Sequence, residues 1–227
     1  MINTFKQRLK QIRSRVALSL YDADLIEQRM TDWAQLQHYD QANAELSSDL
    51  DRVVFFGDSI TEGWDLSTYF SNRSYINRGI CGQTTPQMLI RFRPDVIALH
   101  PKIAVFLAGT NDIAGNTGKM SLAQTQDNFR SIAELAKYNQ IKMIFASVLP
   151  VSEARSITRS STKIQALNNW IKQYCAKKDH GYLDYYSQMV DDRGFLPSHL
   201  SDDGLHPNAA GYAIMTPLTE AAIHTIL

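Results

Sequence analysis

Three polar residues, far apart in the chain or close together near its end, have the types that nucleophilic catalysis needs: Ser59, Asp203 and His206. A serine hydroxyl is a weak nucleophile until a base takes its proton. That base works best when a third group fixes its orientation. Ser59 lies in Gly57-Asp58-Ser59, directly after the apolar run Val53-Val54-Phe55-Phe56. Asp203 and His206 lie in Ser201-Asp202-Asp203-Gly204-Leu205-His206-Pro207-Asn208, a stretch bent by Gly204 and Pro207. Their spacing lets the carboxylate fold back onto the imidazole Nδ1–H, leaving Nε2 free to accept a proton. Asp202 is the rival orienter, and its spacing is less favourable. Each stretch also has a plainer reading. Asp58 or Ser59 can simply cap a following helix, and 201–208 can be a polar turn with Asn208 capping the last helix.

Two more turns offer hydrogen-bond donors. In Asn77-Arg78-Gly79-Ile80-Cys81-Gly82-Gln83-Thr84-Thr85, Gly82 can present its backbone N–H to a substrate oxygen with no side chain in the way. Gly79 reads as a left-handed turn. Cys81 is a candidate nucleophile without a sequence partner. In Ala108-Gly109-Thr110-Asn111-Asp112, the Asn111 amide can donate to a developing oxyanion, a contact worth about 3–4 kcal/mol in the transition state. Asp112 reads as an anchor for its loop. Trp64 follows Ser59 closely and is either a sugar-binding rim or a core or lid aromatic.

The elements that must position these residues alternate. Short apolar strands are expected at Val53–Phe56, Tyr75–Asn77, Ile103–Leu107, Met143–Val148 and Tyr182–Tyr185. Helices are expected from Pro86 to Leu99, from Ser121 (with Gln124 completing a capping box), through Ile164, Leu167 and Ile171, and from Ala209, where Pro217 should kink or restart the helix. Residues 152–161 read as a surface loop. Strand–helix alternation implies a parallel sheet covered on both faces, an α/β doubly wound three-layer sandwich. Strand ends are where such sheets bind ligands. Residues 1–51 read as a helical lead-in packed on the domain. Phe5, Leu9, Ile12 and Val16 share one face, and a second stretch runs through Leu25, Ile26, Met30, Trp33 and Leu36. A homodimer contact or a membrane-surface helix is the sharper reading of that segment.

The 227 residues suffice for one α/β domain with a full core. Lys and Arg number 23 and Asp and Glu number 23, so no global field draws nucleic acid or an anionic membrane. No apolar run approaches the ~20 residues of a membrane span. The run from Val16 to Tyr21 stops at Asp22 without a cleavage site, so no export signal is read. Cys81 and Cys175 make neither a metal spacing nor a disulfide framework. The expected location is therefore cytoplasmic.

Gly57-Asp58-Ser59, Gly82, Gly109-Thr110-Asn111-Asp112 and Asp203-Gly204-Leu205-His206-Pro207 resemble, in order, the four blocks of the SGNH (GDSL) hydrolase superfamily over residues 52–227. The resemblance implies a flavodoxin-like α/β/α sandwich with a five-stranded parallel sheet. It implies a Ser59 nucleophile, a His206 base and an Asp203 orienter. The oxyanion hole it implies is the Ser59 amide, the Gly82 amide and the Asn111 side chain, with no metal or cofactor. Cys81 stands where the family commonly has serine. Ile60-Thr61-Glu62-Gly63-Trp64, Asn77-Arg78-Gly79 and the lead-in from Asp32-Trp33-Ala34 to Ala42-Asn43 resemble a bacterial branch of carbohydrate acetylesterases and lysophospholipase-like proteins.

No long apolar lid segment is present. The expected substrate is a small-molecule or carbohydrate ester with a short acyl group, acetyl foremost. A lysophospholipase- or thioesterase-type acyl hydrolase is the alternative. Two rivals fit less well. Gly57-Asp58 and Thr110-Asn111-Asp112 faintly echo metallophosphoesterase blocks, but no Asp-x-His opens the chain and the histidines are scattered. A non-catalytic binding module would not need every catalytic position filled.

Overall fold

A computed structural model describes residues 31–47, 49–70 and 74–227. Five parallel strands form one sheet: β1 (Val53–Gly57), β2 (Tyr75–Gly79), β3 (Ile103–Leu107), β4 (Lys142–Ala146) and β5 (Gly181–Leu183), in the order β2-β1-β3-β4-β5. Every residue of β1 and β3 is buried, because helices cover both faces. The pleat divides their side chains between two cores. Val54, Phe56, Ala104 and Phe106 face one, and Val53, Phe55, Ile103 and Val105 face the other.

The first core is closed by α2 (Thr85–Asp95), α4 (Leu122–Tyr138) and α5 (Ser161–Lys178), which supply Met88, Phe92, Phe129, Ile164 and Leu167. The second is closed by α1 (Ser59–Glu62) and α6 (Ala209–Ile226), with Ile60, Tyr212, Met215 and Ile223. A short helix, α3 (Thr110–Ala114), follows β3 directly. The register sets Gly57 beside both Gly79 and Leu107, so the C-terminal tips of β1, β2 and β3 end level. β1 and β3 are neighbours although the chain leaves β1 for β2 on the other side. That reversal of strand order is where an open α/β sheet leaves a ligand crevice.

The capping box forms as expected: Gln124 N–H donates to Ser121 Oγ at 3.2 Å and Ser121 N–H to Gln124 Oε1 at 2.9 Å. Several elements differ from expectation, the first, second and fifth strands running Val53–Gly57, Tyr75–Gly79 and Gly181–Leu183. The helix from Pro86 stops at Asp95, just after Pro94, and a separate 3₁₀ turn follows over Ile97–Leu99. The fourth strand ends at Ala146, because the Asn168 side chain clamps both polar groups of the Val148 backbone, at 2.7 and 2.8 Å. The loop 152–161 contains a 3₁₀ turn, Arg155–Ile157. The last helix runs unbroken through Pro217. Pro217 and Ala213, whose carbonyl loses its donor, both lie on the exposed face, where water can replace the missing bond.

Residues 1–30 of the expected lead-in, with Phe5, Leu9, Ile12, Val16, Leu25, Ile26 and Met30, lie outside the described residues. Trp33 and Leu36 do not continue a helix. Turns and irregular backbone occupy 32–39, Asp32 accepts from Leu36 and Gln37 N–H, and both hydrophobic side chains are exposed. This segment is nonetheless tied to the loop after β2 and to the first turn of α2. Gln83 Nε2 donates to Ala34 O at 2.8 Å and Gln87 Nε2 to Trp33 O at 2.7 Å. Among the described residues no helix is long and apolar enough to cross a membrane.

Candidate active site

The turn after β1 is built for close approach. A Cβ on Gly57 would lie 2.3 Å from Thr61 Oγ1 and 2.5 Å from the Leu107 carbonyl, so only glycine lets the chain turn there. Asp58 caps α1, accepting from Ile60 N–H at 3.0 Å through Oδ1, while its buried Oδ2 has no partner. Burial raises the Asp58 carboxyl to about 7; the nearby Asp112 adds to the rise and the Ile60 N–H offsets part of it. Ser59, at the first position of α1, is half-buried.

Arg91 holds this turn from below. Its guanidinium is fully buried, donates to the Gly57 carbonyl at 2.8 Å and the Arg78 carbonyl at 2.9 Å, and pairs with Asp95 at 3.0 Å. It also donates to Gln83 and lies 4.2 Å over the Phe56 ring. One side chain therefore ties the ends of β1 and β2 to the loop that carries Gly82. Sequence reasoning missed it. The available signal was the Arg91/Asp95 pair at helical i, i+4 spacing.

Ser59 and His206 meet at this turn. Ser59 Oγ is 2.9 Å from His206 Nε2, and His206 Nδ1 is 2.8 Å from Asp203 Oδ2. Asp203 Oδ1 accepts from the N–H groups of Leu205 and His206, each at 2.9 Å. Partial burial pushes the Asp203 carboxyl up, but the His206 N–H and imidazole and the Leu205 N–H outweigh it and hold the group well below the usual carboxylate range. Asp202 turns away and accepts from Asn208 Nδ2 at 3.2 Å. Asn208 caps α6 through Ala210 and Gly211 N–H, as the capping reading of this stretch expected, and the same stretch sets Asp203 against His206.

Gly82 adopts φ +74°, a left-handed conformation open to glycine. Among the described residues neither its N–H nor that of Ser59 has a backbone or side-chain acceptor. Asn111 is buried and spends one Nδ2 hydrogen on the Gln83 carbonyl at 3.0 Å, next to Gly82. Its second amide hydrogen is left over. Asp112 anchors the loop as expected, accepting from Thr85 N–H and Oγ1. Arg159 Nη2 lies 3.5 Å from Asn111 Oδ1, and Arg155 donates through Nε to the Asp203 carbonyl at 3.1 Å. Neither arginine carried a sequence signal.

One expectation needs correction, and the fold bears on two open readings. Gly79 is not a left-handed turn but the last residue of β2, where a Cβ would fall 2.1 Å from Glu62 N. Trp64 does not line a rim. It is 3% exposed, its ring stacked on Tyr212 at 5.3 Å and edge-on to Phe55 at 5.6 Å, because β1 and α6 converge there to bury it. Cys81 is exposed, but its partial burial and the Glu62 and Asp58 carboxylates push the thiol up, away from the reactive thiolate. Among the described residues no three His, Cys, Asp or Glu side chains are grouped to hold a metal.

Residues 55–214 match the GDSL-like lipase/acylhydrolase family. A GDSL-like lipase from Bacteroides thetaiotaomicron VPI-5482 is 41% identical and superposes with a TM-score of 0.81, covering 86% of this chain and all of its own. A candidate acylhydrolase from Bacteroides fragilis NCTC 9343 is 42% identical, with a TM-score of 0.82, 87% of this chain covered and 100% of its own. An acetylxylan esterase, Axe2 of Geobacillus stearothermophilus, shares the fold at 18% identity, with a TM-score of 0.64 over 78% of this chain and 96% of its own. The uncharacterized lipoprotein YqeF of Bacillus subtilis (strain 168) is 34% identical over 120 residues, 44% of this chain; the match spans about half of that relative, 49%. With a family match over residues 55–214 and two solved structures above 40% identity, the chain belongs to the GDSL-like lipase/acylhydrolase family.

Proposed function

We propose that the protein is a serine ester hydrolase working through Ser59, His206 and Asp203. The observation that carries this reading is the unbroken relay from Ser59 Oγ to His206 Nε2 at 2.9 Å and from Nδ1 to Asp203 at 2.8 Å. Ser59 Oγ attacks the ester carbonyl carbon as its proton passes to His206 Nε2. The carbonyl oxygen becomes an oxyanion and accepts from the Ser59 and Gly82 N–H groups and the remaining Asn111 amide hydrogen. His206 then protonates the leaving alkoxide, which departs and leaves acyl-Ser59. Water attacks the acyl carbon as it gives a proton to His206, and collapse of the second tetrahedral intermediate breaks the bond to Ser59 Oγ, which takes that proton back from His206 as the acid leaves. Asp203 keeps Nδ1 protonated and stabilises the imidazolium that forms at each stage.

The acyl group is short, acetyl foremost. Among the described residues no long apolar insertion lies in the loops around Ser59, which supports this reading, and the resemblance to acetylesterases supports a carbohydrate alcohol. With Trp64 in the core, that side chain adds nothing to the carbohydrate reading. The test is turnover of p-nitrophenyl acetate by the wild type and Ser59→Ala, alongside the octanoate and palmitate esters. A Ser59-dependent rate that falls with chain length is the expected result. Equal rates in the two proteins would sink the nucleophile assignment. A preference for palmitate would point to the lysophospholipase-type alternative.

A further inference from the structure

The segment between β4 and α5 brings two arginines to the site, and they are partnered differently. Arg155 is committed: its Nε donates to the Asp203 carbonyl at 3.1 Å and its Nη2 lies 3.5 Å from the Asp203 carboxylate. Arg159 has only neutral acceptors, both at long range. Nη2 is 3.5 Å from Asn111 Oδ1, and Nη1 is 3.4 Å from Thr158 Oγ1. Its Nε is buried with no acceptor at all. Among the described residues no carboxylate pairs with it.

A guanidinium carries five N–H donors in a planar fork. A half-buried one with most of those donors unused, touching the proposed oxyanion donor, is a poor way to stabilise a fold. It is a good way to receive an anion, which can accept two parallel bonds from the fork. Asp58 and Asp203 are near enough to feel the charge, but neither lies within ion-pair distance of Arg159. Asp203 is held by His206 and Leu205, and Asp58 Oδ1 by Ile60. The chain has no net charge, so local charge is what would select a substrate here.

We infer that Arg159 is a specificity residue that docks an anionic group, a carboxylate, phosphate or sulfate, carried by the ester substrate close to its scissile carbonyl. The inference rests on the hydrolase reading above and deepens it by naming a substrate class. The anion can sit on the acyl side or on the alcohol side.

The experiment uses charged and neutral esters matched in shape. The acyl arm compares the mono-4-nitrophenyl ester of glutarate with 4-nitrophenyl methyl glutarate. The alcohol arm compares 4-acetoxybenzoate with methyl 4-acetoxybenzoate. Ser59→Ala provides the blank. The expected result is a kcat/KM for the charged ester about tenfold or more above its neutral partner in one arm, the scale of a charge-assisted bond. That ratio collapses in Arg159→Gln, survives in part in Arg159→Lys, and shrinks in the wild type as ionic strength rises. A ratio near one in both arms, or a ratio that Arg159→Gln leaves unchanged, overturns the inference while leaving the esterase intact. Titration of glutarate and 4-hydroxybenzoate into Ser59→Ala, with and without Arg159→Gln, reads the same site without turnover. Anion binding lost with Arg159 supports the proposal even if no tested ester is cleaved, and identical binding in both proteins overturns it.

Discussion

Asp203 grips His206 at two points: Oδ1 accepts from the His206 backbone N–H at 2.9 Å, and Oδ2 lies 2.8 Å from the imidazole Nδ1. One carboxylate therefore fixes both the start of the residue and the direction of its ring. The ring has little freedom left, and its Nε2 is held on Ser59 Oγ.

That double contact predicts a strong asymmetry between adjacent acids. Asp203→Asn should lower kcat on p-nitrophenyl acetate by about 10³–10⁴-fold, because an amide supports the wrong imidazole tautomer. Asp202→Asn, whose native partner is Asn208, should cost less than about tenfold, on the scale of a lost surface contact. Steady-state kinetics on the two variants check this, and a comparable loss in both would move the orienter role.

Asn111 offers a test of the oxyanion site. Its buried amide has one hydrogen on the Gln83 carbonyl and one to give. Asn111→Ala should reduce kcat by roughly 10²–10³-fold with a much smaller change in KM, the signature of a contact made mainly in the transition state. A change confined to KM would assign Asn111 to ground-state binding instead.

Asp58 should make stability depend on pH. Burial holds its folded carboxyl up at about 7, against the ordinary aspartate value of about 3.9. Between those values the folded state holds a proton that the unfolded state has released, so stability is full at low pH and declines as pH rises toward 7. Asp58→Asn keeps an acceptor for the Ile60 N–H and removes the ionisation. Urea denaturation at pH 5 and pH 8 should show the variant gaining on the wild type at the higher pH, by on the order of a few kcal/mol. A difference independent of pH would show that burial does not keep this carboxyl protonated.

Arg91 is the residue whose loss should damage the scaffold under the site. Arg91→Met strips a donor from the Gly57 and Arg78 carbonyls and leaves the buried Asp95 charge unpaired. The expected cost is about 3–5 kcal/mol of unfolding free energy. Arg91→Met with Asp95→Leu should recover part of it, since the unpaired charge is then gone. Chemical denaturation of both proteins reads the difference.

The parts of the site that were legible share one property: each is announced by its immediate neighbours. Ser59 follows a run of β-branched and aromatic residues. Gly82 stands in a turn, Asn111 sits beyond the apolar third strand, and Asp203 lies three residues before His206. Helix starts were equally local, as the Ser121–Gln124 box shows. Errors arose where a distant element made the decision. Trp64 is polar-tipped and close to Ser59 in the sequence, but Tyr212 from the far end of the chain covers it. Gly79 looks like a turn, yet it is glycine because α1 passes over it.

The amino-acid order by itself determined which residues end strands, which turn, and which chemical types stand at those turns, because propensity and capping act over a few residues. Tertiary structure alone decided that Ser59 and His206, 147 positions apart, lie 2.9 Å from each other. It also decided that Arg91 is buried beneath the Ser59 turn and that Arg159 reaches Asn111. Those facts depend on strand order and on two helical layers closing over one sheet. Such long-range packing is set by the burial of apolar surface summed over the whole domain, and no local stretch of sequence encodes it.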